Sequence, residues 1–243
     1  LFIKQQIKGY KMGSDAVSSK KKSNKPILLA VCLAVIVVAA VVSVYYFGLP
    51  SQPSEEPQGR VVTNFSDGAW ANYSLTIYNQ NGTVVSMGNM MAYANSGTYE
   101  GADCWVYVEN VTYTSSEDTA VTDTVTSYLN KSTFAALHQT EQITSDGVVT
   151  YDEAFDSGDE GFMDTLAIVR NMTVTATDKS VTVPAGTFST TQRQGTLTYP
   201  SDPTTYDLTS WASTEVPTWG MVKYEFRVGG VLFSEYLLEA YGN

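Results

Sequence analysis

The sequence predicts a mainly β domain of the α+β class, an antiparallel sheet with one or two short helices, preceded by a single transmembrane helix. Three observations carry this expectation. Residues 27–47 form an uncharged apolar run of bilayer length. Beyond residue 61, apolar and polar side chains alternate with period two in segment after segment. That region is also rich in Thr and Tyr, which suit a pleated, half-buried surface.

The elements follow in chain order. Residues 1–26 are a basic tail holding seven of the 14 Lys and Arg residues and a single acid. Leu1 stands first and Met12 is the first methionine, so initiation is expected at Met12 or at a non-standard codon read as Leu1. The run Ile27–Phe47 (ILLAVCLAVIVVAAVVSVYYF) would span about 31 Å as a helix. Lys20, Lys21, Lys22 and Lys25 crowd its start, and Tyr45, Tyr46 and Phe47 form an interfacial belt at its end. This asymmetry places the N-terminus in the cytoplasm and the C-terminal domain outside, at the cell membrane. A cleaved signal peptide would have a shorter apolar region and a small-x-small site; Phe47-Gly48-Leu49-Pro50 is a poor one, so an uncleaved anchor is expected.

Residues 48–60 (GLPSQPSEEPQGR) read as a short, stiff stalk. Residues 61–243 then form one β-rich extracytoplasmic domain with no internal repeat. In Trp70–Tyr78 the apolar set is Ala71, Tyr73, Leu75 and Ile77. In Asn171–Thr177 it is Met172, Val174 and Ala176, and in Val222–Val228 it is Val222, Tyr224, Phe226 and Val228. Such alternation suits an antiparallel sheet with one solvated face. Asn81-Gly82 and Gly229-Gly230 mark hairpin turns. Asp159–Asn171 opens with acids and spaces Phe162, Leu166 and Val169 as a short helix would.

The C-terminal third carries a further pattern. Val181-Thr182-Val183-Pro184-Ala185-Gly186-Thr187-Phe188 is followed by Trp211, and then by Gly220-Met221-Val222-Lys223. This resembles the VPAGTF…W…G-x-V-K sequence of extracytoplasmic domains related to the lipoprotein-carrier (LolA/LolB-like) fold, with Pro184, Gly186, Phe188, Trp211, Gly220 and Lys223 as the matching positions. The resemblance implies a strongly curved antiparallel sheet, a half-barrel around helical segments, and an apolar interior able to hold a lipid or similar ligand. Ala212 departs from it where an aromatic residue commonly follows the Trp.

Charge and motifs bound the function. The net charge of -11 divides into about +6 before the apolar run and -17 after it, so nucleic acid is not an expected partner. Six Asn-x-Ser/Thr sequons, at Asn64, Asn72, Asn81, Asn110, Asn130 and Asn171, all follow the anchor and predict a glycosylated surface. Asp156, Asp159 and Asp164 partly match a calcium loop, with Gly161 at position 6, but Ala167 stands where the bidentate acid belongs. His138 is the single histidine, expected at a surface or boundary position. Cys104 is the single cysteine after the anchor; a buried thiol beside Trp105 is the plainer reading and an intermolecular disulfide the alternative. No nucleophile elbow, phosphate loop or dinucleotide fingerprint occurs, so neither an enzyme nor a cofactor is expected. Two functions follow: a binding module holding a lipid or other apolar ligand, or a structural or adhesion protein that contacts other envelope proteins.

Overall fold

Alternation of side chains persists through nearly all of the chain beyond residue 68, and there it becomes strand. The computed structural model describes residues 63–115, 119–157, 172–199 and 202–243. Strands β1 (Ala69–Tyr78), β2 (Val84–Tyr99), β3 (Ala102–Thr114), β4 (Ala120–Asn130), β5 (Ala136–Ser145) and β6 (Val148–Asp156) form one antiparallel meander. Strands β7 (Thr173–Val183), β8 (Gly186–Tyr199), β9 (Asp202–Ala212), β10 (Met221–Val228) and β11 (Val231–Gly242) form a second. β11 pairs antiparallel with β1 and joins them into one sheet, in the order β6-β5-β4-β3-β2-β1-β11-β10-β9-β8-β7.

Turn chemistry sets the register. At the β1–β2 hairpin the Asn79 side chain accepts the backbone N–H groups of Asn81 and Thr83, while Gly82 takes the left-handed conformation (φ +74°). Gly229 and Gly230 do the same between β10 and β11.

The sheet curls on itself. β3 and β10 are four strand steps apart, which would be about 19 Å in a flat sheet. Yet the Tyr107 ring of β3 lies 5.9 Å from that of Trp219, just before β10. Phe65, ahead of β1, touches Trp105, Tyr107, Phe134 and Trp219, so these five rings close one end of the half-barrel. Reciprocal backbone bonds between Asn64 and Thr218, of 2.8 and 2.9 Å, hold the arrangement. They fix Thr218 at φ +60°, an uncommon conformation for a β-branched residue that points the next side chain, Trp219, into the cluster. β7 returns against β10 and β11, and its hairpin tip donates Ala185 N–H to the Leu238 carbonyl at 3.0 Å.

Burial divides the sheet faces. Ala71, Tyr73, Leu75 and Ile77 of β1, Leu208 of β9, Phe226 of β10 and Leu238 of β11 share the inner face and are almost fully buried. The outer face of β1 to β5 carries Ser, Thr, Asn and Gln in alternation with them.

The expected α+β class is overturned. The described residues are all-β and contain no helix, because the period-two pattern runs through the segments that join the clearest strands as well. The helix expected over Asp159–Asn171 and the transmembrane helix expected over Ile27–Phe47 lie outside the described residues. Among those described, no helix is long and apolar enough to cross a membrane.

Candidate functional site

Cross-strand partners share a face, so the register shows what lines the interior. One inner row runs Ala71, Ala92, Glu109, Val125, Glu141 and Glu153 from β1 to β6. The next runs Tyr73, Met90, Val111, Asp123, Ile143 and Tyr151. Asp123 therefore lies diagonally between Glu109 and Glu141, at the spacing of roughly 7–8 Å that long side chains bridge.

These three acids sit where an apolar side chain is the norm. Asp123 is 2 % exposed, and neither of its carboxyl oxygens has a hydrogen-bond partner among the described residues. Burial, then the nearby Glu141 and Glu109 carboxyls, push it up to about 8. Glu141 is 9 % exposed and is pushed up to about 7, by burial first and Glu153 second. Glu109 is raised by burial, while the Tyr107 hydroxyl, donating to it at 2.8 Å, pulls the other way.

Tyrosines surround the acids. Tyr73, Tyr107, Tyr224 and Tyr236 are all raised, chiefly by burial, and each also feels the Glu109 carboxyl. The Tyr73 hydroxyl donates to the Met221 carbonyl at 3.1 Å and so ties β1 to β10. Beside the same carboxyls, Ser127 and Gln139 hydrogen-bond each other at 3.0 Å. The interior of the β3–β5 half is thus lined by carboxyl, phenol and amide groups, chemically suited to taking up and releasing protons.

The residues singled out in the sequence lie elsewhere. His138 is on the outer face of β5, with its Nδ1 2.7 Å from Asp156 Oδ1 and its ring stacked on Tyr99 at 4.8 Å. Tyr99 donates to the same Asp156 oxygen at 2.9 Å. Asp159 and Asp164, the other calcium candidates, are outside the described residues. Among the described residues no group of three or more His, Cys, Asp or Glu side chains is placed to hold a metal ion. Cys104 is a buried free thiol, raised by that burial.

The matched motif positions fall in three places. Pro184 and Gly186 form the β7–β8 turn, with Gly186 at φ +139°, and Phe188 packs edge-on against Tyr241 at 5.8 Å. Trp211 and Lys223 are cross-strand partners on the outer face, the ammonium 5.3 Å from the indole centroid. Lys223 also pairs with Glu225 and Glu235 at 2.9 and 2.7 Å, and Arg227 pairs with Glu225 at 2.9 Å. Gly220, at φ +69°, turns the chain into β10.

Of the sequons, Asn64 and Asn81 are exposed. Asn110 donates to Thr124 Oγ1 at 3.0 Å, and Asn130 Oδ1 accepts the Ser132 and Thr133 N–H groups. Asn72 buries its amide oxygen, and Asn171 is outside the described residues.

No protein-family model matches this chain, and no curated protein matches it. Two solved structures are similar to it. One, a proposed lipoprotein of Parabacteroides distasonis, is 14 % identical, with a TM-score of 0.37, over 75 % of this chain and 98 % of the other. The second, a proposed exported protein of Bacteroides fragilis with a YmcC-like fold, is 12 % identical, also with a TM-score of 0.37, over 76 % of this chain and 100 % of the other. Likeness of that degree transfers neither a fold name nor a function.

The acids of the inner face are what sequence reading missed. Each stands at the apolar phase of its strand: Asp123 between Val121 and Val125, Glu109 between Tyr107 and Val111, Glu141 between Gln139 and Ile143. An acid out of phase with its alternation was the available signal.

Proposed function

We propose that this chain is a membrane-tethered, glycosylated module of the cell surface that works by contact with other envelope proteins rather than by carrying a lipid or catalysing a reaction. The observation that carries this reading is the inner face of β3 to β5. An acyl chain laid along it would face the carboxyls of Glu109, Asp123 and Glu141, and burying such groups without partners costs roughly 1–3 kcal/mol each even when they are neutral. The space between the sheet halves is also taken by the protein's own Tyr73, Phe226 and Leu238. Catalysis draws no support from the layout, since His138 and the inner carboxyls occupy opposite faces of β5.

Placement outside the membrane rests on the sequence: the apolar run 27–47 with lysines on one side, six sequons on the other, and a domain near -17. Phe65, near the start of the domain, lies at the aromatic end, and the β1–β2, β5–β6 and β10–β11 hairpins form the opposite end. That far end carries exposed Val84, Met87, Val148 and Val231, a surface suited to contact.

Native mass spectrometry of the full chain, extracted from the membranes of its own source, tests the reading. The expected result is an assembly heavier than the monomer with no lipid held at one copy per chain. A monomer carrying one acyl lipid overturns it.

A further inference from the structure

Three carboxyls on adjacent strands, turned into the interior of one sheet, need an explanation that neither packing nor surface contact supplies. Like charges directly opposite each other destabilise a sheet, as Glu141 and Glu153 would when ionised, and Glu109 and Glu141 both repel Asp123 from their diagonal positions. Nothing basic occupies their two rows: the other inner-face positions there are Ala71, Ala92, Val125 and Glu153, and Tyr73, Met90, Val111, Ile143 and Tyr151.

The groups that face the three acids come from every element packed on them. β1 supplies Tyr73, β3 supplies Tyr107 and Tyr113, and β6 supplies Tyr151 and Glu153. β10 and β11 supply Tyr224 and Tyr236. Arg193 of β8 is also buried, in the row of Tyr224, Tyr236 and Tyr113, but no basic side chain is among the groups that shift the three acids. Lys223 and Arg227 are engaged with Glu225 and Glu235 on the outer face. Lys131 sits over Trp105 at the aromatic end. The phenols can donate to a carboxyl group, but none brings a positive charge.

We infer that Glu109, Asp123 and Glu141 form a buried proton-binding cluster, and that loss of its protons loosens the packing of β3–β5 against β10 and β11. Asp123 is the centre of the cluster: it touches the fields of both neighbours, and its two carboxyl oxygens are enclosed and unpartnered among the described residues. A neutral carboxyl tolerates that enclosure; a carboxylate does not, and it must recruit water or move. The half-barrel therefore has a tight protonated form and a looser deprotonated one. Because the raised values of Asp123 and Glu141 fall near neutrality, the interconversion answers to pH changes around neutrality rather than to extremes. This holds whether or not the module works by contact.

The test uses the full chain in detergent micelles. Its thermal midpoint, and amide hydrogen exchange in β3–β5, are followed from about pH 5 to about pH 8.5, a window that brackets both raised carboxyls. The midpoint is expected to fall across the window while exchange in β3–β5 accelerates by roughly tenfold or more. The double variant Asp123→Asn, Glu141→Gln should lose at least about half of both responses, whereas the outer-face variant Asp152→Asn should keep them, which separates the cluster from general charge repulsion. A flat wild-type profile overturns the inference, as does a response the double variant retains. Should that variant fail to fold, carbon-detected NMR of the wild-type carboxyls decides: two or more inner acids titrating above about pH 6 support the cluster, and all of them titrating in the ordinary carboxylate range overturn it.

Discussion

Asp123 of β4 and Glu141 of β5 face the same interior on adjacent strands, one diagonal step apart, and each is held well above the ordinary carboxylate range. Burial acts on both, but Asp123 also carries the repulsion of Glu141. Glu141→Gln removes that repulsion and leaves the burial. The Asp123 titration is therefore expected to move down from about 8 while staying above the usual range, read by NMR on the carboxyl carbon. An unmoved midpoint would mean the two side chains point apart.

Close approach of two strands makes a separate prediction. A Cβ added at Gly88 would collide with the Thr112 carbonyl oxygen and with the Cα and Cβ of Tyr113, all backbone or backbone-proximal atoms of β3. No rotamer change relieves such a clash, so β2 must shift. Gly88→Ala is expected to cost about 3 kcal/mol or more in urea unfolding. At the neighbouring Met87, which is 70 % exposed, replacement by Ala should stay within about 0.5 kcal/mol.

Why some of this was legible in the sequence and some was not comes down to range. β1 and β10 could be read because their alternation is local: Tyr73, Leu75 and Ile77 in phase, Val222 and Phe226 in phase. The turns at Gly82 and Gly229 were equally local. The α+β expectation rested on a helical spacing over Asp159–Asn171, a local signal, while every regular element among the described residues is a strand. The acids that stand out in the sequence are the clustered ones from Asp152 to Asp164, whereas the interior acids are 14 or more residues apart. Glu109, Asp123 and Glu141 are brought together only by the pairing of β3, β4 and β5. Likewise Phe65 and Trp219 meet only because the sheet curls.

On the outer face, Asp156 titrates in the opposite sense to the interior acids. Hydrogen bonds from His138 and Tyr99 hold its carboxyl below the ordinary value. A lowered carboxyl stabilises the fold above its unfolded-state value, and that contribution is lost as pH falls through the folded one. His138→Ala and Tyr99→Phe should each raise the Asp156 midpoint toward the usual range, the first by more, because the His138 bond is the larger cause. NMR titration of the side-chain carboxyl checks both. Stability should therefore decline in strong acid through Asp156 and toward alkaline pH through the interior acids.

Sequon geometry ranks glycan occupancy. Asn81 is exposed at a hairpin tip, where the side chain that accepts the turn's N–H groups is that of Asn79. Asn110 and Asn130 commit their amides to Thr124 and to the Ser132–Thr133 backbone, and Asn72 buries its amide oxygen on β1. In protein from its own source, glycopeptide mass spectrometry should find occupancy highest at Asn81 and lowest at Asn72. The reverse order would show that glycans are added before β1 pairs with its neighbours.

The aromatic end makes the last prediction. Phe65 lies within 4.9 to 6.0 Å of Trp105, Tyr107, Phe134 and Trp219, rings supplied by β3, the β4–β5 turn and the β9–β10 connection. It adds to the direct Tyr107–Trp219 and Phe134–Trp219 contacts by which the two meanders touch at that end, and aromatic pairs of this kind each add about 0.5–1.5 kcal/mol beyond buried area. Phe65→Ala should therefore cost roughly 3 kcal/mol in urea unfolding, with an altered Trp fluorescence because Trp105 and Trp219 both lose a ring contact. Phe65→Leu keeps most of the apolar volume and should recover about half of the loss. If Ala costs less than about 1 kcal/mol, the end is held by the Asn64–Thr218 backbone pair and the rings merely fill the space it leaves.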